Sequence, residues 1–397
     1  MWPGILERRL TARHQQGLWR QRATLTPRSG QRIDDGRHRL HDFAGNDYLG
    51  LAHDPRLAEA QAEGARRYGA GAGASHLVSG HLAPHHELEE RLAALTGRPR
   101  ALLFSTGYMA NLGTLQALCT DGAYLFQDRL NHASLLDGAS LAGARSRRFH
   151  HRDLADLERL LDRAPDDAPR LVVSDGVFSM DGDVADIDGL AATCRRHAAW
   201  LMIDDAHGLG VLGEHGDGCV GRRFSSDEVP VLVGTLGKAL GSAGAFVAGG
   251  DLLIDTLTQF ARPYVYTTAQ PPGIACATLR ALEILEREPD RRARLHEHIA
   301  YWRQRAEQLG LPLMPSSTPI QPLLLGDSQR TLRWSQALRE RGFLAGAIRE
   351  PTVPRGQARL RITLSAGHER QTIDALLAAL GELALADDQH DARDATP

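Results

Sequence analysis

Cysteine is scarce: Cys119, Cys194, Cys219 and Cys276 are the four in 397 residues, and no two stand in a CxxC spacing. That excludes a disulfide scaffold and a zinc ribbon, and it fits a reducing cytoplasm. Long apolar runs are missing too. The opening MWPGILERRLTARHQQGLWRQR carries charge every few residues, so neither a secretory signal nor a membrane span is expected there. An excess of charge of one sign is also absent. The 46 Lys and Arg against 49 Asp and Glu leave a net charge of -3, which predicts no nucleic-acid groove and no broad surface for anionic membranes.

Several motifs are missing as well. YGAGAGAS (68–75) lacks the GxGxxG spacing and follows a helical stretch rather than an apolar strand, which removes a dinucleotide fold. No GxSxG elbow supplies a nucleophilic serine. Around Lys238, a phosphate-loop reading fails because Leu232 stands where glycine is required and Ala239 follows the lysine.

What is present is a 42% hydrophobic chain, enough for a sizeable core in about two or three domains. From Arg100 to Gly250, short apolar runs (ALLF, AYLF, LVVSDG, WLMIDD, VLVGT, GAFVAGG) alternate with helix-length amphipathic stretches. This predicts a mostly parallel sheet covered by helices on both faces, with ligands at the carboxyl ends of its strands. Residues 1–45 read as a helix and a small strand pair, 46–286 as the large α/β domain, 287–386 as a smaller α+β domain, and 387–397 as a disordered polar tail.

The chemistry-bearing residues follow those runs. Lys238, in VGTLGKALG, emerges from a glycine-flanked turn, where an isolated Gly-Lys would ordinarily be a surface loop. Asp204, Asp205 and His207 end WLMIDDAHG. A carboxylate buried there needs a partner. A metal is one reading, but no HExxH accompanies the three, and none is expected. A better reading has Asp204 holding the ring nitrogen of pyridoxal 5'-phosphate and His207 near its ring oxygen; a capped strand end is the plain alternative. FSTGYMAN turns from strand to helix at Gly107 and Tyr108, whose N–H groups would suit a phosphate, with Thr235 adding a hydroxyl. His132 follows a strand and is either a cap or a ring lying on the cofactor. Ser179 in DGVFSMDGD offers a hydroxyl, while Asp181 to Asp183 read as a turn. In RLRITLS the alternation sends Arg359 and Arg361 to one face, where a guanidinium suits a carboxylate.

NDYLGL, FSTGYMAN, DRLNHASLLDGA, DGVFSMDGD, IDDAHGLG, TLGKALG, PTVP and RLRITLSAGH occur in order between Asn46 and His368. Together they resemble the α-oxoamine synthase family of fold-type I pyridoxal-phosphate enzymes. The resemblance implies a seven-stranded, mostly parallel central sheet and a homodimer with shared active sites. It also implies Lys238 as Schiff-base lysine, Asp204 on the ring nitrogen, His207 and Ser179 at the ring oxygen, and His132 stacked on the ring. Asn46 and Arg361 become candidates for the substrate carboxylate, and Thr352 for a phosphate contact across the dimer. GASHLVSGHLAPHHELEERLA and AIREPTVPRGQARLRITL resemble the branch that condenses L-alanine with a pimeloyl thioester carried on acyl-carrier protein or coenzyme A. Arg22, with Arg20, is then a candidate for the distal carboxylate, against an exposed helix face. Two residues depart from the pattern: Asp175 where glutamate is usual, and Glu350 where proline is usual.

Overall fold

The computed structural model describes the backbone of residues 1–394 except 17, 28–30 and 121, with side chains described up to residue 387. Seven strands form the central sheet: β1 (Arg100–Phe104), β2 (Tyr124–Asp128), β3 (Arg145–Phe149), β4 (Arg170–Asp175), β5 (Trp200–Asp204), β6 (Val231–Thr235) and β7 (Ala245–Gly249). Their spatial order is β1-β7-β6-β5-β4-β2-β3. Only β7 runs antiparallel, pairing Ala245 with both Phe104 and Thr235. This is the seven-stranded, mostly parallel sheet that the sequence resemblance implied.

The apolar runs form strands because both faces are covered. Val173, Met202 and Val233 pack with residues of helices Gly107–Leu118, Ala133–Ala142 and Asp251–Phe260. Val172, Leu201, Ile203 and Leu232 pack on the other side against helices Leu154–Leu161 and Ile187–Arg196. Strand β3 departs from this pattern. Its sequence, RSRRF, is charged because it is an edge strand paired only with β2, so most of its side chains reach water.

Beyond helix Pro272–Arg287 lies a second unit, built on helix Pro289–Gln308 and an antiparallel sheet in which Ala358–Thr363 sits between Ile320–Gly326 and Gly346–Ile348. The N-terminal strands join this unit: Arg39–Asp42 pairs in parallel with Phe343–Leu344, so the smaller body draws on both ends of the chain. Residues 387–394, expected to be disordered, continue helix Arg370–Asp394. Asp387 is held there by Arg330 Nε and Trp334 Nε1, each at 2.7 Å; residues 395–397 lie outside the described residues. Among the described residues, no helix is long and apolar enough to cross a membrane.

Candidate active site

Strands β4, β5 and β6 end side by side at Asp175, Asp204 and Thr235, and the turn after β6 brings Lys238 to the same edge. Lys238 is half-buried, and its amine makes no hydrogen bond or salt bridge among the described residues. Burial lowers its amine to about 8, against the opposing pull of Asp204 and Asp175. The lost hydration outweighs two carboxylates because neither is in direct contact with the amine.

Asp204 is buried, and among the described residues no salt bridge reaches it. Its Oδ1 accepts the Ala206 N–H at 3.0 Å and its Oδ2 the Asn111 amide at 2.6 Å. Asn111 donates its other hydrogen to Ser134 Oγ at 2.8 Å, and that hydroxyl lies 2.7 Å from His132 Nδ1. His132 is also the N-cap of helix Ala133–Ala142, so the cap reading holds, and the residue is exposed. Asp175 receives the His132 N–H at 2.7 Å; burial and the neighbouring Asp204 charge push its carboxyl well above the usual range. The shorter side chain at this departure therefore ties the His132 loop to β4.

Asp205 points away from this cluster. It accepts the backbone N–H of Cys219 at 2.8 Å and its thiol at 3.0 Å, and burial raises it to about 7. With Asp205 so engaged, the three-residue metal reading of Asp204, Asp205 and His207 does not form.

His207 is buried with Nδ1 2.5 Å from the Tyr48 hydroxyl, and burial reinforced by the Lys238 and Arg361 charges depresses its pKa well below the imidazole range. Tyr48 continues to Asn46 Oδ1 at 3.2 Å, which accepts Arg361 Nη2 at 3.1 Å. Arg361 Nε donates to the Ser179 carbonyl at 2.6 Å. Arg359 shares its face as the alternation required, but its charge is committed to Asp181 at 2.7 Å. The Ser179 hairpin is fixed by Gly182, whose φ of +73° excludes most other residues, and whose carbonyl accepts the Ser316 and Thr318 hydroxyls.

Gly107 opens helix Gly107–Leu118, and its N–H and that of Tyr108 have no acceptor among the described residues. A Cβ on Gly107 would stand 2.7 Å from the Thr235 methyl, so the glycine keeps a cradle open between helix and strand end. The Tyr108 hydroxyl itself bonds Asp137. Among the described residues, a buried carboxylate with no salt-bridge partner, an enclosed amine with none and a helix N-terminus with free N–H groups fit the ring nitrogen, aldehyde and phosphate of pyridoxal phosphate.

Two candidate positions lie apart from this cluster within the single chain. Arg20 and Arg22 lie exposed in an irregular segment before Thr26–Pro27, not on a helix, because helix Trp2–Gln15 has already ended, and no contact joins them to the Lys238 cluster. Thr352 is exposed on a turn closed by its N–H on the Arg349 carbonyl and bonds none of the site residues. Asn111, Ser134 and Tyr48 had no assigned role. The available signal for the first was an Asn in a largely apolar helix that otherwise carries only Tyr108, Thr114 and Gln116 as polar side chains.

The family model for aminotransferase class I and II matches residues 39–380, and the chain belongs to that family. It is 70% identical over 379 residues to 8-amino-7-oxononanoate synthase of Chromohalobacter salexigens, covering 96% of each chain. It is 58% identical to the enzyme of that name from Pseudomonas putida, over 95% of this chain and 96% of that one. Among solved structures, a serine palmitoyltransferase from S. paucimobilis with a bound PLP–myriocin adduct superposes with a TM-score of 0.89 at 27% identity, covering 96% and 97% of the two chains. An 8-amino-7-oxononanoate synthase from Francisella tularensis gives 0.77 at 32% identity, over 89% and 99%.

Proposed function

We propose that this chain is a pyridoxal-phosphate enzyme that condenses L-alanine with a pimeloyl thioester, releasing 8-amino-7-oxononanoate, carbon dioxide and the carrier thiol, a step of biotin synthesis. The observation that carries the reading is the pairing of an unpartnered amine, Lys238, with a buried carboxylate, Asp204, that Asn111 holds without neutralising. Bound there, the cofactor supplies an electron-poor ring that stabilises negative charge at the amino-acid Cα.

Lys238 would anchor the cofactor, and its amine, lowered to about 8 by burial, would keep a neutral fraction at physiological pH able to take the Cα proton on Nζ. Asp204 holds the protonated ring nitrogen. His132 covers the ring face, its tautomer set by Ser134. His207, kept neutral by burial and oriented by Tyr48, meets the ring oxygen together with the Ser179 hydroxyl. The N–H groups of Gly107 and Tyr108 and the Thr235 hydroxyl take the phosphate. Arg361, steadied by Asn46 and the Ser179 carbonyl, receives the alanine carboxylate in its planar fork.

Thr352 serves the phosphate of a neighbouring subunit in a homodimer, which gives a purpose to an exposed residue with no role in its own site. Arg22 meets the distal carboxylate of the acyl chain. The four cysteines are all unpaired, as a cytoplasmic enzyme requires.

The test is direct. Purified protein is yellow, becomes labelled at Lys238 after borohydride reduction, and converts L-alanine with pimeloyl-CoA or pimeloyl-acyl-carrier protein to a product of the expected mass. Colourless protein after cofactor addition refutes the cofactor assignment, and a preference for glycine or serine refutes the substrate. Parallel turnover on the two carriers decides between them.

A further inference from the structure

Outside the active site, four histidines and a glutamate gather where HLVSGHLAPHHELEE folds back on itself. His76 opens the turn His76–Gly80, His81 follows it, and His85, His86 and Glu89 lie on helix Ala83–Thr96. We infer that His81, His86 and Glu89 form a site for a divalent transition-metal ion, with zinc the ion that best suits their donors.

His85 is not among the ligands, because both its nitrogens are committed: Nδ1 accepts the Leu82 N–H at 3.0 Å and Nε2 donates to the Gln270 carbonyl at 2.9 Å. His81, His86 and Glu89 place one donor atom each within 4.8 Å of one another. Glu89 is largely enclosed. Its Oε1 accepts the Leu103 N–H at 2.9 Å, while Oε2 faces His81 Nε2 at 3.8 Å, too far for a hydrogen bond. A largely enclosed carboxylate oxygen facing an imidazole nitrogen beyond hydrogen-bond distance is where a cation gains most. His81 Nδ1 lies 2.9 Å from His76 Nδ1. If it donates there, the lone pair of His81 Nε2 is left turned toward Glu89, and His76 becomes the outer partner that fixes a ligand's tautomer.

Tetrahedral zinc with bonds of about 2.0–2.2 Å sets ligand atoms about 3.3 Å apart, so each must close by about 0.5–1.5 Å. His86 is mostly exposed, and its Nε2, 3.5 Å from the equally exposed Glu90 Oε1, would have to turn from that carboxylate to reach the ion. The fourth position opens on a cavity of 330 Å³. The nearby Arg100 is not a strong competitor, since its charge is paired with Asp255 at 2.7 Å. The ion would pin the 76–82 segment to the helix, and the site shares no residue with the Lys238 cluster.

The experiment uses tag-free holoenzyme stripped with a chelator and titrated with Zn²⁺ alone against a chromophoric competitor. One tightly bound zinc per chain is expected, with a rise in Tm on binding. His81→Ala and His86→Ala should each weaken binding by at least about tenfold, and His76→Ala by about 10–100-fold, with turnover preserved in the zinc-free variants. His86 is on the surface, so its variant folds and decides the matter even if Glu89→Gln does not. Absence of stoichiometric zinc in the wild type, or unchanged affinity in either the His81 or the His86 variant, overturns the site.

Discussion

Asn111 and Asp204 meet at 2.6 Å between the helix after β1 and the end of β5, and the same amide reaches Ser134 and through it His132. One neutral side chain thus sets the position of both groups proposed to touch opposite parts of the cofactor ring. Asn111→Ala should leave Asp204 Oδ2 buried without its donor, costing about 1–3 kcal/mol in urea denaturation. It should also weaken retention of the cofactor, followed by loss of visible absorbance on dilution. Unchanged retention would show that Asp204 needs no brace.

Lys238 offers a pH test on the cofactor-free protein. Folding lowers its pKa from 10.5 to about 8. Between those values the unfolded chain binds more protons than the folded one, so this group's contribution to stability rises with pH over that window and is lost as pH falls through 8. Lys238→Met should therefore be more stable than wild type by about 3 kcal/mol below pH 8, with the gap closing toward pH 10.5. The variant should have no turnover. A gap independent of pH would mean the amine is not desolvated.

His151 titrates in the opposite sense. It bridges Asp128 at 3.0 Å and Asp183 at 2.9 Å, beside Arg152, and despite its partial burial the two carboxylates raise it to about 9. A folded pKa above the unfolded value gives stability that is full below pH 6.5 and lost as pH rises through 9. The advantage of wild type over His151→Gln should be on the order of 1–2 kcal/mol at pH 6 after solvent screening, and should vanish near pH 10 in denaturant titrations. Because the bridge joins the loops of His132 and Ser179, kcat should fall over the same range.

Tyr48→Phe removes the only hydroxyl between His207 and Asn46 among the described residues. A drop in kcat/KM for alanine of about five- to tenfold, the worth of one hydrogen bond, is expected with little change in fold. Steady-state kinetics at fixed thioester check it.

Arg361→Lys keeps the charge but loses the fork that reaches Asn46, Thr363 and the Ser179 carbonyl together. KM for alanine should rise at least about tenfold while the apparent KM for the thioester stays within about twofold, since only the carboxylate contact is removed. Equal rises in both would place the arginine elsewhere.

The sequence determined the strands that are apolar on both faces, because burial on two sides leaves an unbroken hydrophobic run, and it placed Lys238, Asp204 and His207 just beyond strand ends, where the structure has them. It did not reveal β3, whose charges suit an edge, or the union of Arg39–Asp42 with Phe343–Leu344, which links positions about three hundred residues apart. Tertiary structure alone decided that Asp205 turns to Cys219 while Asp204 faces Asn111, since adjacent residues leaving a strand end diverge and only packing fixes their partners. It likewise decided that Arg359 is consumed by Asp181 and Arg361 left beside Asn46. Local pattern carries burial and period; the choice among polar partners depends on which loops arrive at the same place.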